Sequence, residues 1–169
     1  MIKTERLTLI PLTVRQLELG SSSIKQLAAE LNIPLVENLI SGNAERAVNM
    51  KIAKMQSIPE ELHPWFTYWL IVIDSEKIGA GLVGFKGNPD AKGEVEIGYG
   101  INPIFQSRGY MSEAVKALIE WAFSHPECKA INATNVVPDN FPSQKVLVKN
   151  CFNEVEATPS GITFQLRKD

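Results

Sequence analysis

The chain has 169 residues, 44% of them apolar and 21% charged, with a formal net charge of −2. That balance suits a folded globular protein and excludes a disordered chain or one whose main ligand is nucleic acid, which would need a basic surface. The length predicts one domain over residues 1–169, a size that buries roughly 70% of the unfolded surface around one core. No apolar run approaches the ~20 residues of a membrane span, and Met1 to Arg6 lacks the layout of a signal peptide, so a cytoplasmic protein without a membrane partner is expected. Cys128 and Cys151 have no C-x-x-C spacing and read as buried thiols.

In chain order, Leu7 and Leu9 alternate against Thr8 and the run stops at Pro11, the pattern of a half-buried edge strand. Residues 13–31 predict one or two short helices, with Ser23 as N-cap of Ile24 to Leu31. Asn43 to Gln56 predicts another, with Ala47, Met50 and Ala53 or Lys54 on one side. Trp65 to Asp74 is apolar on both alternating sides, as a central strand is, and Ile78 to Lys86 returns as the next strand after a polar turn. Gly79-Ala80-Gly81-Leu82-Val83-Gly84 matches the dinucleotide pattern G-x-G-x-x-G, but its third glycine leads into a strand end and a turn instead of a helix. These glycines therefore read as strand positions permitting close packing or a bulge. Gly93 to Ile101 is the fourth strand, with Val95, Ile97 and Tyr99 on one face and Glu94, Glu96, Gly98 and Gly100 on the other.

From Gln106 a polar turn with one glycine, Gln106-Ser107-Arg108-Gly109-Tyr110-Met111, feeds a helical pattern in which Val115, Leu118, Ile119 and Ala122 recur at three and four residues. A turn on a helix N-terminus offers unpaired N–H groups and the positive end of the helix dipole, a combination suited to phosphate. Gly109 permits a left-handed turn or close approach of a ligand to the backbone, and Arg108 adds a positive charge. Lys129 to Val137 predicts a fifth strand, parallel to the fourth because a helix intervenes. Asn140 caps a helix over Phe141 to Asn150, and Cys151 to Ala157 with Ile162 to Arg167 forms a closing hairpin.

Gln106-x-x-Gly109-x-Met111 resembles the pyrophosphate-binding motif of the GNAT acetyltransferase superfamily, with Met111 where the family usually has a small residue. Asn140-x-x-Ser143 resembles its second cofactor-contacting segment, although capping alone would also account for Asn140. The strand around Leu7 resembles the opening of the Rim-type branch, the ribosomal-protein N-terminal acetyltransferases. The resemblance implies an α/β (α+β) fold: one GNAT domain, a mixed and mostly antiparallel twisted sheet with helices on both faces, splayed between the fourth and fifth strands. It implies acetyl-CoA as co-substrate, with Gln106, Ser107, Arg108, Gly109, Tyr110 and Met111 at the pyrophosphate. Asn140 would meet the pantetheine arm, and Ser143 would lie near the thioester sulfur. The implied acceptor is a primary amine, foremost a peptide or protein N-terminal α-amine attacking directly. A small amine, or an acyl-CoA-binding module without catalysis, is the alternative. Many relatives carry a general-acid tyrosine where this chain has Leu147, so no acid is assigned there.

An amine that is mostly protonated near neutral pH needs a base. Glu96 is the candidate, with Glu94 competing. Gly98 leaves room for the thioester, and a strand amide near Ile97 or Gly98 is placed to hold its carbonyl oxygen. His63 and His125 lie far apart with no other ligand at metal spacing, so no metal is expected. Hydrolase and nucleoside-triphosphatase motifs are missing.

Overall fold

The computed structural model describes residues 1–169. Its core is an eight-stranded sheet in the order β1 (Ile2–Lys3), β2 (Leu7–Pro11), β3 (Tyr68–Ile73), β4 (Ile78–Phe85), β5 (Glu94–Ile101), β6 (Ala130–Val136), β8 (Gly161–Arg167) and β7 (Asn153–Thr158). Every neighbouring pair is antiparallel except β5 with β6, whose connection is a helix, as a parallel crossover requires. That parallel pairing holds for three residues, Glu94↔Ala130 through Glu96↔Asn132, and then ends. Beyond it the two strands part, opening the sheet between β5 and β6.

The helices are α1 (Val14–Ser22), α2 (Ile24–Leu31), α3 (Asn43–Met55), α4 (His63–Phe66), α5 (Tyr110–Phe123) and α6 (Phe141–Lys149). Thr13 begins α1 with a capping box and Ser23 caps α2, each satisfying N–H groups that a helix start leaves unpaired. Tyr68 and Trp69 show that helices cover both faces, because successive residues of a strand point to opposite sides. Lys51 of α3 lies over the Tyr68 ring at 4.4 Å, while Trp121 of α5 packs against Trp69 with ring centroids 5.4 Å apart. Trp65, Phe85 and His125 complete this aromatic contact. Val115, Leu118 and Ala122 of α5 are fully buried against the sheet. Truncating Leu118 to alanine there should cost about 2–5 kcal/mol. No helix is long and apolar enough to cross a membrane.

Four local expectations are corrected. The strand predicted from Trp65 begins at Tyr68, because Pro64 opens the short helix α4 and Trp65 and Phe66 belong to it. The inner side of α3 is Val48, Lys51 and Met55, whereas Met50 is 69% exposed. A buried lysine whose stem packs like an apolar chain shifts that face. Cys128 is buried, but Cys151 is exposed in the turn that ends α6. A two-residue strand, β1, adds an edge before the first predicted strand.

The G-x-G-x-x-G stretch lies wholly in β4. The register against β3 slips by one residue at Ala80, and a Cβ on Gly81 would stand 2.6 Å from the carbonyl oxygen of Gly100. Close strand approach, not nucleotide binding, accounts for the glycine.

Candidate active site

The turn after β5 is set by backbone conformation. Asn102 Oδ1 accepts from the Ile104 N–H at 3.0 Å, and Phe105 is buried beneath. Ser107 and Gly109 then adopt left-handed φ values of 61° and 82°. A Cβ disfavours that region by roughly 1–2 kcal/mol, which is the reason for glycine at 109. As N-cap of α5, Gly109 supplies no side-chain acceptor, so the first-turn amides of α5 face the cleft without a protein cap.

Residues far away in sequence hold this turn. Glu113 in the first turn of α5 accepts from Thr4 Oγ1 at 2.6 Å, the Arg6 N–H at 2.9 Å and Arg6 Nε at 2.7 Å. Burial alone would raise its carboxyl, but these bonds and the Arg6 charge hold it below the ordinary range. Arg6 also donates to the Arg108 carbonyl at 3.0 Å and lies over the Tyr110 ring at 4.7 Å. The Arg108 guanidinium itself turns away to Glu76 at 3.3 Å. The cation beside Gly109 is therefore Arg6, whose Nη2 stands 3.3 Å from where a Gly109 Cβ would be. Nothing in the sequence links position 6 to the turn; only the fold brings them together.

A cavity of about 340 Å³ lies where the sheet opens, between the end of β5, the turn and α6. Gln106, Ser107, Gly109, Tyr110 and Met111 line one side, and Asn140, Ser143, Lys145 and Lys149 line the other. Tyr110 and Met111 line that wall but are otherwise buried, and both belong to the hydrophobic core. Asn140 Oδ1 accepts from the Ser143 N–H at 3.2 Å, confirming the cap and leaving its NH₂ group unengaged by that bond. Leu147 is fully buried. The hydroxyl near this helix comes instead from Tyr99 of β5, whose Oη lies 3.0 Å from Ser143 Oγ. A larger depression of about 610 Å³ along the outer side of α3, around Glu45, Arg46 and Asn49, gathers no comparable set of groups.

The two competing glutamates differ in surroundings. Glu94 sits in the closed part of the sheet, bonded to Asn132 Nδ2 at 2.9 Å and paired with Arg167 at 3.5 Å; Asn132 in turn accepts from Gln165. Glu96 belongs to the last parallel pair, at the apex of the opening. Lys86 Nζ and Thr134 Oγ1 both reach its Oε1, leaving Oε2 without a protein hydrogen bond. On the same face, a Cβ on Gly98 or Gly100 would meet nothing within 4 Å, so there is open space beside the carboxylate. Glu96 O accepts from the Lys86 N–H toward β4; strand alternation then aims the backbone groups of Ile97 and Tyr99 at the opening, and those of Gly98 at β4. The Ile97 side chain is in the core.

Lys51 donates to the carbonyls of Phe66 at 2.9 Å and Phe85 at 2.6 Å. Burial, and then the charge of Lys86, push its ammonium down to about 7.

A sheet that parts after one short parallel pairing, with a left-handed turn of uncapped amides at the mouth, has the architecture of the CoA-dependent N-acetyltransferase class. Residues 6–153 match the family described as Acetyltransferase (GNAT) domain, and the chain belongs to that family. A Bacillus subtilis protein, the uncharacterized N-acetyltransferase YjdG, is 39% identical over 84 residues, which are 50% of this chain and 49% of that protein. The chain thus matches about half the length of that relative. Among solved structures, the ribosomal-protein-S5-alanine acetyltransferase of Vibrio fischeri superposes with a TM-score of 0.66 at 16% identity, over 99% of this chain and 96% of that one. The microcin C7 self-immunity acetyltransferase MccE, solved with acetyl-CoA and AMP, gives 0.63 at 16% identity over 98% and 94%. At these identities the likeness is one of fold.

Proposed function

We propose that this protein moves the acetyl group of acetyl-CoA to a primary amine, foremost an N-terminal α-amine of a peptide or protein, by direct attack. The observation that carries the reading is the position of Glu96: a half-buried carboxylate with one free oxygen at the apex of a cleft whose mouth is a turn of uncapped amides. In this reading the amides of residues 107–111 and Gln106 hold the pyrophosphate, with Lys145 and Lys149 supplying positive charge to the same cleft. Asn140 faces the pantetheine arm and the Ser143 hydroxyl the thioester sulfur. The backbone of Ile97 polarises the thioester carbonyl.

The amine lone pair forms the new C–N bond, the C–S pair leaves as thiolate, and Glu96 Oε2 takes the proton lost by nitrogen, directly or through water. Glu94 is the weaker base candidate because its bonds to Asn132 and Arg167 already engage it. An α-amine titrates near ~7.7–8.0 against ~10.4 for lysine, so its free form costs roughly 3 kcal/mol less to reach at neutral pH. The fold likeness to a ribosomal-protein acetyltransferase supports the same acceptor class. The test is thiol release from acetyl-CoA with a panel of N-terminal peptides, lysine side chains blocked, alongside free small amines, the products weighed by mass spectrometry. Acetylated peptide N-termini are expected. Transfer to small amines alone would overturn the acceptor, and acetyl-CoA binding with no transfer at all would overturn catalysis.

A further inference from the structure

The proposed base, turn and serine leave Tyr99 without a role, yet it lines the same cavity as the turn and Ser143. Its side chain stands in one row with Val83 and Trp69 on the α5 side of the sheet and reaches the first turn of α6. There Oη is 3.0 Å from Ser143 Oγ and 3.2 Å from the Ser143 carbonyl oxygen. Both partners of the phenol thus belong to one residue, the serine placed beside the reacting sulfur.

The two hydroxyls carry two hydrogens, and two arrangements make use of the bond between Tyr99 Oη and Ser143 Oγ. In one, Tyr99 donates to the Ser143 carbonyl, the serine hydrogen turns back to Tyr99 Oη and both are used internally. In the other, Tyr99 donates to Ser143 Oγ and the serine hydrogen is released toward the cleft. We propose that Tyr99 is a positioning residue for the leaving group: its hydroxyl donates to Ser143 Oγ and thereby aims the serine hydrogen at the sulfur of CoA. The proposal rests on the placement of Ser143 at the sulfur.

Charge decides between the arrangements. A hydrogen bond to an ion is roughly twice as strong as a neutral one, so the outward arrangement gains most when the C–S bond breaks and the thiolate forms. An interaction that strengthens with the developing charge speeds the step instead of merely tightening binding. Tyr99 does not itself surrender a proton. Burial, partly offset by the bond to Ser143, pushes its phenol up to about 12, well above a thiol near ~8.5. It keeps its hydrogen and acts through the serine. The sequence carries no tyrosine at Leu147 on α6; the hydroxyl arrives from β5, across the cleft.

The experiment needs no acceptor. CoA is bound to the wild-type protein, to Tyr99→Phe, to Ser143→Ala and to the double variant, and the bound thiol is titrated by its thiolate absorbance. Phenylalanine fills the same volume as tyrosine, and thermal melts check that each variant is folded. Losing a hydrogen bond to a charged group should raise the thiol midpoint by about one pH unit. Each single variant is expected to show that rise, and the double variant no more than either. A wild-type midpoint in Tyr99→Phe beside a raised one in Ser143→Ala would show that the serine needs no positioning. Additive rises would place Tyr99 directly on the sulfur. If neither variant moves the midpoint, the placement of Ser143 fails and the proposal falls with it. The first two of these results leave Ser143 at the sulfur and overturn only the role given to Tyr99.

Discussion

At the mouth of the cleft the proposed ligand-holding groups are backbone amides of one contiguous turn, residues 106–111, whereas at its apex they are side chains gathered from separate elements. Glu96 comes from β5, Lys86 from the end of β4 and Thr134 from β6, with Lys51 of α3 anchored nearby on two carbonyls. A backbone-built site is indifferent to most side chains and sensitive to φ. Met111 is accordingly compatible with it, because its side chain belongs to the core and an amide is present whatever the side chain. A site built of side chains has the reverse sensitivity: each group is replaceable in shape but not in chemistry.

The largest effect should come from the apex. Glu96→Gln keeps the shape and removes the base, so kcat should fall by about 10²–10⁴-fold with acetyl-CoA affinity unchanged. The loss should shrink as pH rises, because more acceptor arrives deprotonated. Glu94→Gln, whose carboxylate serves the Asn132 and Arg167 contacts, should alter kcat little; a larger, pH-dependent loss in that variant would exchange the two roles.

At the mouth, Gly109→Asp introduces a Cβ at φ 82° and a carboxylate where an anion is to bind. Calorimetry should find acetyl-CoA binding weakened about 100-fold, while Met111→Ala leaves it within a few-fold. Equal losses in the two would break the account of a backbone-built mouth.

A smaller loss is expected from Arg6→Ala, which removes the side-chain bonds to Glu113 and to the Arg108 carbonyl, keeps the backbone N–H bond to Glu113, and touches no proposed ligand contact. Acetyl-CoA affinity should drop about three- to tenfold, with kcat at saturation retained, since part of the interaction is exposed to solvent. Unchanged affinity would mean that the turn holds its shape unaided.

Least affected should be Lys51→Met, which bears on stability more than on turnover. The folded protein lowers the lysine from its ordinary 10.5 to about 7, so between those values the unfolded chain binds the extra proton. Wild-type stability should therefore rise relative to the variant as pH goes from 7 toward 10, by up to about 1.4 kcal/mol per pH unit. Parallel melting profiles for the two proteins would show that Lys51 stays charged in the fold.

Short-range patterns made much of this readable. Ser23 and Asn140 were recognisable as caps because a side-chain oxygen three residues before an N–H is a local device. Alternation separated the Glu96 face of β5 from the Val95 face. The same reasoning failed at Trp65, where Pro64 starts a helical turn that an apolar count cannot distinguish from a strand. It failed again at α3, because a lysine that buries its stem and bonds two carbonyls is counted as solvent-facing. Arg108 was read as the charge beside Gly109, but a guanidinium goes where a carboxylate waits, and Glu76 stands on a different turn.

What the sequence determined by itself is therefore whatever lies within about one helical turn or one strand: most of the element types, the need for a glycine before α5, the capped start of α6, and the face on which each glutamate sits. What only the tertiary structure decided is every pairing across the opening. Arg6 reaches Glu113, Tyr99 reaches Ser143, Lys86 and Thr134 meet on one oxygen of Glu96, and Glu94 is drawn into the closed sheet by Asn132. The reason is physical: backbone conformation is set by neighbours along the chain, whereas the partner of a side chain is set by where the sheet parts, and that depends on the pairing register of strands more than thirty residues apart.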